Sequence, residues 1–397
     1  MAQDAHHASA AYGRFYLENR PVLLREAELP DPPDARAVAM AREWGFHRVH
    51  AASDMEAPSY DGPFAASHRA AWGVAHASDD HPAMVHGLPP DPAAIVSAVA
   101  RGAGGFGLRL DTAIMQHGLS HDVLSLHQWL EHHEDELTSS VEVRDALALL
   151  EYPAYGFWPD LEGGFGVLVC AGYNPTLVDL AVASDADLAE FPAAIFPSRG
   201  YLDLDTYGKL VVLTLRGATL VTYPEPVRRQ VDGTPFRTTF LWPPTARPAS
   251  RGRGTEAEVG RRFQVRDGVS TILHQPLGEP HCGPAYWRLP AGQRRAHRQL
   301  VLSLVEEVAP RTLAPAEDLE LEAVARLSPD GGALLFVVNR LDAQVGTIAI
   351  PAPEALNVGR PLLLESLFST ADSQAEPAGD GIRVRMGPKG VLILRLG

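Results

Sequence analysis

The chain reads as an α/β protein of more than one domain, with a doubly wound middle and a small all-β end. Three observations predict this. A strand, helix, strand unit fills residues 21–53. The same alternation runs through residues 163–310. Short β runs replace it from about residue 315 onward. At 397 residues the chain also exceeds what one core usually organises, so two to four domains are expected.

Composition narrows the function. Hydrophobic residues make up 46% and charged residues 21%, a globular balance. The net charge of -15 repels phosphate backbones and anionic lipid heads, so neither nucleic acid nor a membrane surface is an expected partner. Cys170 and Cys282 cannot build a disulfide framework or a four-cysteine zinc site, and are expected as buried thiols. The start, MAQDAHHASAAYGRF, has no apolar signal core, and no run of about 20 apolar residues follows, so a cytoplasmic location is expected.

In order, PVLLREAEL (21–29) predicts a strand. Asp34 is placed to cap, and Gly45 to end, a helix over DPPDARAVAMAREWG, and FHRVHAAS predicts a second strand. From 83 to 110, PAMVHGL, DPAAIVSAVARGAG and GFGLRLD repeat strand, helix, strand, and a further helix is expected over 120–136. In the middle, FGVLVCA, AAIFPS, ATLVTY and STILHQ predict strands. TLVDLAVASDADLAEF, LDTYGKLVVLTLRG and AGQRRAHRQLVLSLVEEVA fill the helical intervals, a flavodoxin-like rhythm. TARPASRGRGTEAE at 245–258 is too poor in apolar residues to pack and predicts a mobile surface loop. ALLFVVN, VGTIAIP, GIRVRMG and GVLILRL predict a C-terminal β-sandwich.

These segments resemble, piece by piece, the β-galactosidases of glycoside hydrolase families 35 and 42 and their relatives. GRFYLENRPVLLREAEL resembles the family opening into a first barrel strand that ends in "GE", with Glu28 at the glutamate. ARAVAMAREWGFHRVH resembles the first barrel helix and second strand. MEAPSYDGPF resembles the family's "HEP", with Glu56 at the glutamate and Met55 in place of the histidine. HPAMVHGL and ARGAGGFGLRLD then resemble the last two barrel strands, so four central strands are missing. FPSRGYLDLDTYGKLVVLTLRGATLVTYPEPVRRQVDGTPF resembles the domain that mediates trimer contacts in these enzymes. The resemblance implies a truncated TIM-barrel-like part at 1–140. A flavodoxin-like (class I glutamine amidotransferase-like) domain of trimerisation type follows at 141–312, and a β-sandwich at 313–397.

Retaining glycosidases need an acid/base carboxyl and a nucleophilic carboxyl about 5 Å apart. The resemblance places them on the fourth and seventh strands. No "NE" pair supplies the first here, and His86 stands where the second is expected. The remaining catalytic candidates are Glu28, Glu56 and Asp111, with Trp72, His86 and His117 as sugar-contacting residues near strand ends on one face. Each has a plainer alternative. Glu28 and Glu56 can serve as ion-pair partners or caps, and Asp111 can be the N-cap of the next helix. His117, His121, His127, His132 and His133 can line a solvated helix face on which His117 and His121 could meet. His274, His281 and Cys282 form a loose group without metal-ligand spacing. GGFG at 163–166 precedes a strand, the wrong side for a phosphate loop, and Cys170 within that strand is poorly placed as a nucleophile.

The sequence therefore predicts a catalytically degenerate β-galactosidase-like subunit that binds carbohydrate or completes an oligomer, of its own kind or with a full-length glycosidase. An active retaining glycosidase with rearranged carboxylates and a scaffolding protein without a sugar ligand are the alternatives. No cofactor and no metal is expected.

Overall fold

The computed structural model describes residues 9–11, 14–17, 20–30, 35–51, 63–78, 80–156, 159–237, 241, 260–273, 276–370 and 372–397. The insertion expected at 245–258 lies outside them, as do Glu56 and His274. The fold is mixed α/β with several sheets, divided into two compact units: Met1–Val143 with Thr312–Gly397, and Arg144–Arg311.

The first unit is built on β1 (Leu24–Leu29), α1 (Ala35–Glu43), β2 (Arg48–Ala51), α2 (Ala65–Ala75), β3 (Met84–Leu88), α3 (Pro92–Ala100) and β4 (Gly105–Arg109). The strands form one parallel sheet in the order β2-β1-β4-β3. Helix α3 starts where the sequence dictates: Pro92 occupies its first turn, and the Asp91 carboxylate accepts the Ala93 N–H at 3.1 Å. It ends before Gly102, whose φ of +83° favours glycine. Every residue of α3 from Ala93 to Ala100 is buried, because the helix is covered on two sides.

In the second unit, β5 (Leu147–Glu151), α7 (Pro159–Cys170), β6 (Thr176–Asp179), β7 (Ala193–Ser198), α8 (Leu204–Leu215), β8 (Thr219–Pro224), β9 (Gly260–Val265), β10 (Gly268–Leu273) and α9 (Ala291–Val305) form a six-stranded layer. Preceding α7 in the chain, α4 (Thr112–His117), α5 (His121–His132) and α6 (Glu134–Ser139) belong to the first unit. The strand order is β6-β5-β7-β8-β10-β9, parallel except for the terminal β9. Gly217, at φ +107°, ends the α8 segment and turns the chain into β8, as its position predicts.

Two expectations fail here. FGVLVCA is not a strand but the end of helix α7. All residues from Asp160 to Cys170 are buried, so no polar face betrays the helical period, and a short apolar run reads equally well as a strand. Hence GGFG lies inside a helix, and Cys170 is that helix's last residue, with Sγ 3.9 Å from the Tyr286 hydroxyl. Nor is TLVDLAVASDADLAEF one helix. Thr176–Asp179 joins the sheet edge, and only Asp185–Leu188 turns helically, closed by the reciprocal Ser184–Asp187 capping box.

The C-terminal strands return to the first unit. They are β11 (Glu322–Leu327), β12 (Ala333–Val338), β13 (Gln344–Ala349), β14 (Leu364–Ser369), β15 (Gln374–Ala378), β16 (Gly381–Met386) and β17 (Val391–Leu396). One antiparallel sheet runs β14-β17-β12-β11 and ends on Val141–Glu142; a second runs Ala314–Pro315, β13, β16, β15. Val324, Phe336 and Ile393 from the first of these share one core with Ala27, Ile95 and Phe106, so α3 is packed between the parallel sheet and the antiparallel one. Residues expected to form separate N- and C-terminal segments thus bury a common apolar surface.

Burial also fixes a pH response. Desolvation holds the His68 imidazole down to about 3 and that of His127 down to about 4. Both are neutral when folded, whereas the unfolded chain protonates them near pH 6.5. Stability is therefore full above that pH and is lost as pH falls toward the folded values, by up to about 1.4 kcal/mol per pH unit for each ring. Melting curves between pH 7.5 and 4.5 should show this loss, and His68→Leu should flatten it. An unchanged slope in that variant would contradict the assignment.

Candidate functional site

The parallel sheet of the first unit has two unlike faces because side chains alternate along each strand. Ala27, Leu29, Val85, Phe106 and Leu108 point to the helices and fill the core. The opposite face brings together Glu26 and Glu28 of β1, Arg48 of β2 and His86 of β3, with Gly107 of β4 between them. Gly107 leaves the room: a Cβ there would stand 3.1 Å from Glu28 Oε1 and 3.5 Å from His86 Nδ1.

His86 Nδ1 lies 3.7 Å from Glu26 Oε2 and 3.8 Å from Glu28 Oε1, so one imidazole nitrogen faces both carboxylates. The three groups differ in access. The His86 side chain is 56% exposed, Glu28 13% and Glu26 7%. Glu26 is further held by Arg48 Nη1 at 3.2 Å, and Glu28 accepts the Gly87 N–H at 3.0 Å. The arrangement can donate and accept hydrogen bonds to a polyol through His86 and Glu28. Its carboxylates project from one strand, two residues apart, on the same face. A substrate resting on that face would meet both from one side, whereas retaining hydrolysis requires them on either side of the scissile bond.

The other candidates are spread more widely. Asp111 caps α4, its carboxylate accepting the Ile114 N–H at 2.8 Å, which is the plainer of its two expected roles. Trp72 lies on α2 and stacks on His76 one turn later, with ring centres 4.3 Å apart. His117 is the exposed last residue of α4; Gly118, at φ +85°, then breaks the helix, so His117 and His121 occupy different helices rather than one face. His127 is buried, with Nδ1 3.2 Å from the Trp44 carbonyl.

In the second unit, His281 Nε2 meets His297 Nδ1 at 2.9 Å in the interior. Burial pushes the adjacent Cys282 thiol up to about 12, with Glu162 adding to the rise, so the sulfur stays protonated at neutral pH. Among the described residues, no group of three or more His, Cys, Asp or Glu side chains could hold a metal ion. No described helix is long and apolar enough to cross a membrane.

Sequence reasoning singled out Glu28 and His86 and missed Glu26 and Arg48. The signal for Glu26 was present: in LREAEL the two glutamates are two apart, hence on one face of any strand. Arg48 carried no such mark, because its register opposite Glu26 is set by pairing between strands.

No family model matches this sequence, and no curated protein matches it. Solved structures of the same fold do exist. A β-galactosidase from Bacillus circulans sp. alkalophilus aligns with a TM-score of 0.54 at 13% identity over 94% of this chain and 63% of its own. A β-galactosidase from Rahnella sp. aligns with a TM-score of 0.54 at 11% identity, covering 86% of this chain and 59% of its own. A catalytic mutant of a GH42 β-galactosidase from G. stearothermophilus gives a TM-score of 0.52 at 8% identity, covering 94% and 64%. The chain therefore has a fold like that of GH42 β-galactosidases, and it spans less than two thirds of their length.

Proposed function

We propose that this protein is a β-galactosidase-like subunit that binds a galactoside-type sugar without hydrolysing it. The observation that carries this reading is the single-sided placement of Glu26 and Glu28 around His86. On this view the sheet order β2-β1-β4-β3 is the closing seam of a truncated TIM-barrel-like part, where the last two strands meet the first two. The flavodoxin-like layer, with its β6-β5-β7-β8 order, serves self-association or pairing with a full-length glycosidase in the cytoplasm. The antiparallel sheets of the C-terminal segment are the appended β-sandwich.

The test has two readouts. Purified protein should release no chromophore from chromogenic β-galactosides above the blank. Galactose should bind saturably, with affinity weakened at least tenfold by His86→Ala or Glu28→Ala, about 1.4 kcal/mol for a lost charge-assisted hydrogen bond. A second reading, an active glycosidase with rearranged carboxylates, draws on the approach of two carboxylates to one imidazole nitrogen. Turnover that disappears in both Glu26→Gln and Glu28→Gln would establish it and overturn the first.

A further inference from the structure

The carboxyl ends of β7 and β8 open into a cleft of about 550 Å³ lined by Arg199, Gly200, Tyr201, Glu225, Arg228 and Arg229. Open α/β sheets bind ligands at the carboxyl ends of their strands, beside the point where strand order reverses. In this sheet the reversal falls between β5 and β7. Of the two loops at that point, the one after β7 supplies Arg199, Gly200 and Tyr201 to the cleft, and the Arg199 guanidinium carbon lies 5.8 Å from the ring centre of Tyr155, which follows β5. Volumes of roughly 300–1,000 Å³ are usual for small-molecule sites, so the cleft has room for more than a lone ion.

The cleft wall is fixed by its backbone. The Gly200 carbonyl accepts the N–H groups of Arg228 at 2.9 Å and Arg229 at 3.2 Å, and the Leu202 N–H donates to the Arg229 carbonyl at 3.0 Å. Two loops are thereby clamped together with their arginines on one cleft. Arg228, Arg229 and Glu225 are all exposed, and among the described residues none of the three makes an ion pair. Three guanidinium groups against one carboxylate make this cleft positive in a chain whose net charge is -15.

We propose that the cleft binds a tetrahedral oxyanion, phosphate or sulfate, either free or as the ester group of a sugar. Guanidinium groups present planar donor forks that match such oxygens, and a cleft with more guanidinium groups than carboxylates is stabilised by an anionic ligand. Glu225 opposes the anion and so sets the affinity rather than the class of ligand. The cleft belongs to the second unit and the sheet face that carries His86 to the first, so the two can fail separately.

Calorimetric titration of the intact protein at constant ionic strength, with chloride as the control, tests this. The probes are inorganic phosphate, inorganic sulfate, galactose 6-phosphate and unmodified galactose. At least one of the three anions should bind saturably where chloride does not. Arg228→Ala with Arg229→Ala should weaken that binding at least tenfold, and Glu225→Gln should strengthen it severalfold. Tighter binding of galactose 6-phosphate than of phosphate, by tenfold or more, assigns a sugar ester; equal binding assigns the free anion. No saturable binding of any of the three, or affinities indifferent to both the arginine double variant and Glu225→Gln, overturns the proposal. Galactose reports on the other site alone.

Discussion

Glu322→Ala is expected to destabilise the first unit by about 3–5 kcal/mol, the cost typical of leaving one member of a buried ion pair uncompensated. Glu322 sits on β11 and accepts hydrogen bonds from Ser67 on α2, from Ser97 Oγ on α3 at 2.6 Å, and from Arg101 Nε at 3.3 Å. Arg101 is wholly buried, and its other described carboxylate partner, Glu142, is 3.4 Å away. Arg340 reaches the same place, donating to Ser97 Oγ at 2.6 Å and to the Ala93 carbonyl at 3.0 Å. Removing the carboxylate takes one of two carboxylate partners from the buried Arg101 and the neighbouring anion from Arg340. Chemical denaturation should show the loss, with Glu322→Gln losing less because the amide still accepts hydrogen bonds. A change below about 1 kcal/mol in Glu322→Ala would show that water reaches the network.

Gly163→Ala is expected to destabilise the second unit by about 3 kcal/mol or more, at or above the upper end of ordinary overpacking. Helix α7 passes so close to the Gly278 loop that a methyl group on Gly163 would overlap the Gly278 carbonyl oxygen and stand 2.9 Å from the Cys282 nitrogen. Backbone on both sides leaves no flexible side chain to move aside. On the next residue, a methyl group on Gly164 would overlap the Tyr223 hydroxyl, which donates to the Asp160 carbonyl at 3.1 Å. The Asp160 carboxylate in turn accepts the Gly278 and Glu279 N–H groups at 3.2 and 2.8 Å, tying helix and loop together. Thermal melts of the two alanine variants check this. Native stability in Gly163→Ala would mean that the helix and the loop can separate. In a midhelix glycine free of contacts, alanine would instead stabilise by up to about 1 kcal/mol, so the sign of the change is diagnostic.

Much of the fold was legible because the cues were local. Asp91, Pro92 and Gly102 frame α3 through capping and backbone freedom, and the alternating runs of the last eighty residues can hardly be anything but strands. Helix α7 was not legible, since a helix buried all round shows no period to read. Strand β5, whose LALLE is shorter than most readable runs, was missed for a related reason: it is recognised by its neighbours β6 and β7 on either side. At the candidate site, Glu28 and His86 were found through a family resemblance, and Glu26 could have been found from its spacing alone.

The sequence by itself determined where elements with local caps and turns begin and end, which residues are apolar enough to be interior, and that the chain carries a strong negative charge. Those properties reside in single residues and their near neighbours. Tertiary structure alone decided that β1, β2, β3 and β4 align so that Glu26, Glu28, Arg48 and His86 converge, and that Arg199, Arg228 and Arg229 share one cleft. Such groupings depend on strand register and on loops clamped across a sheet, which are set by the packing of the whole unit and leave no trace in any local stretch of chain.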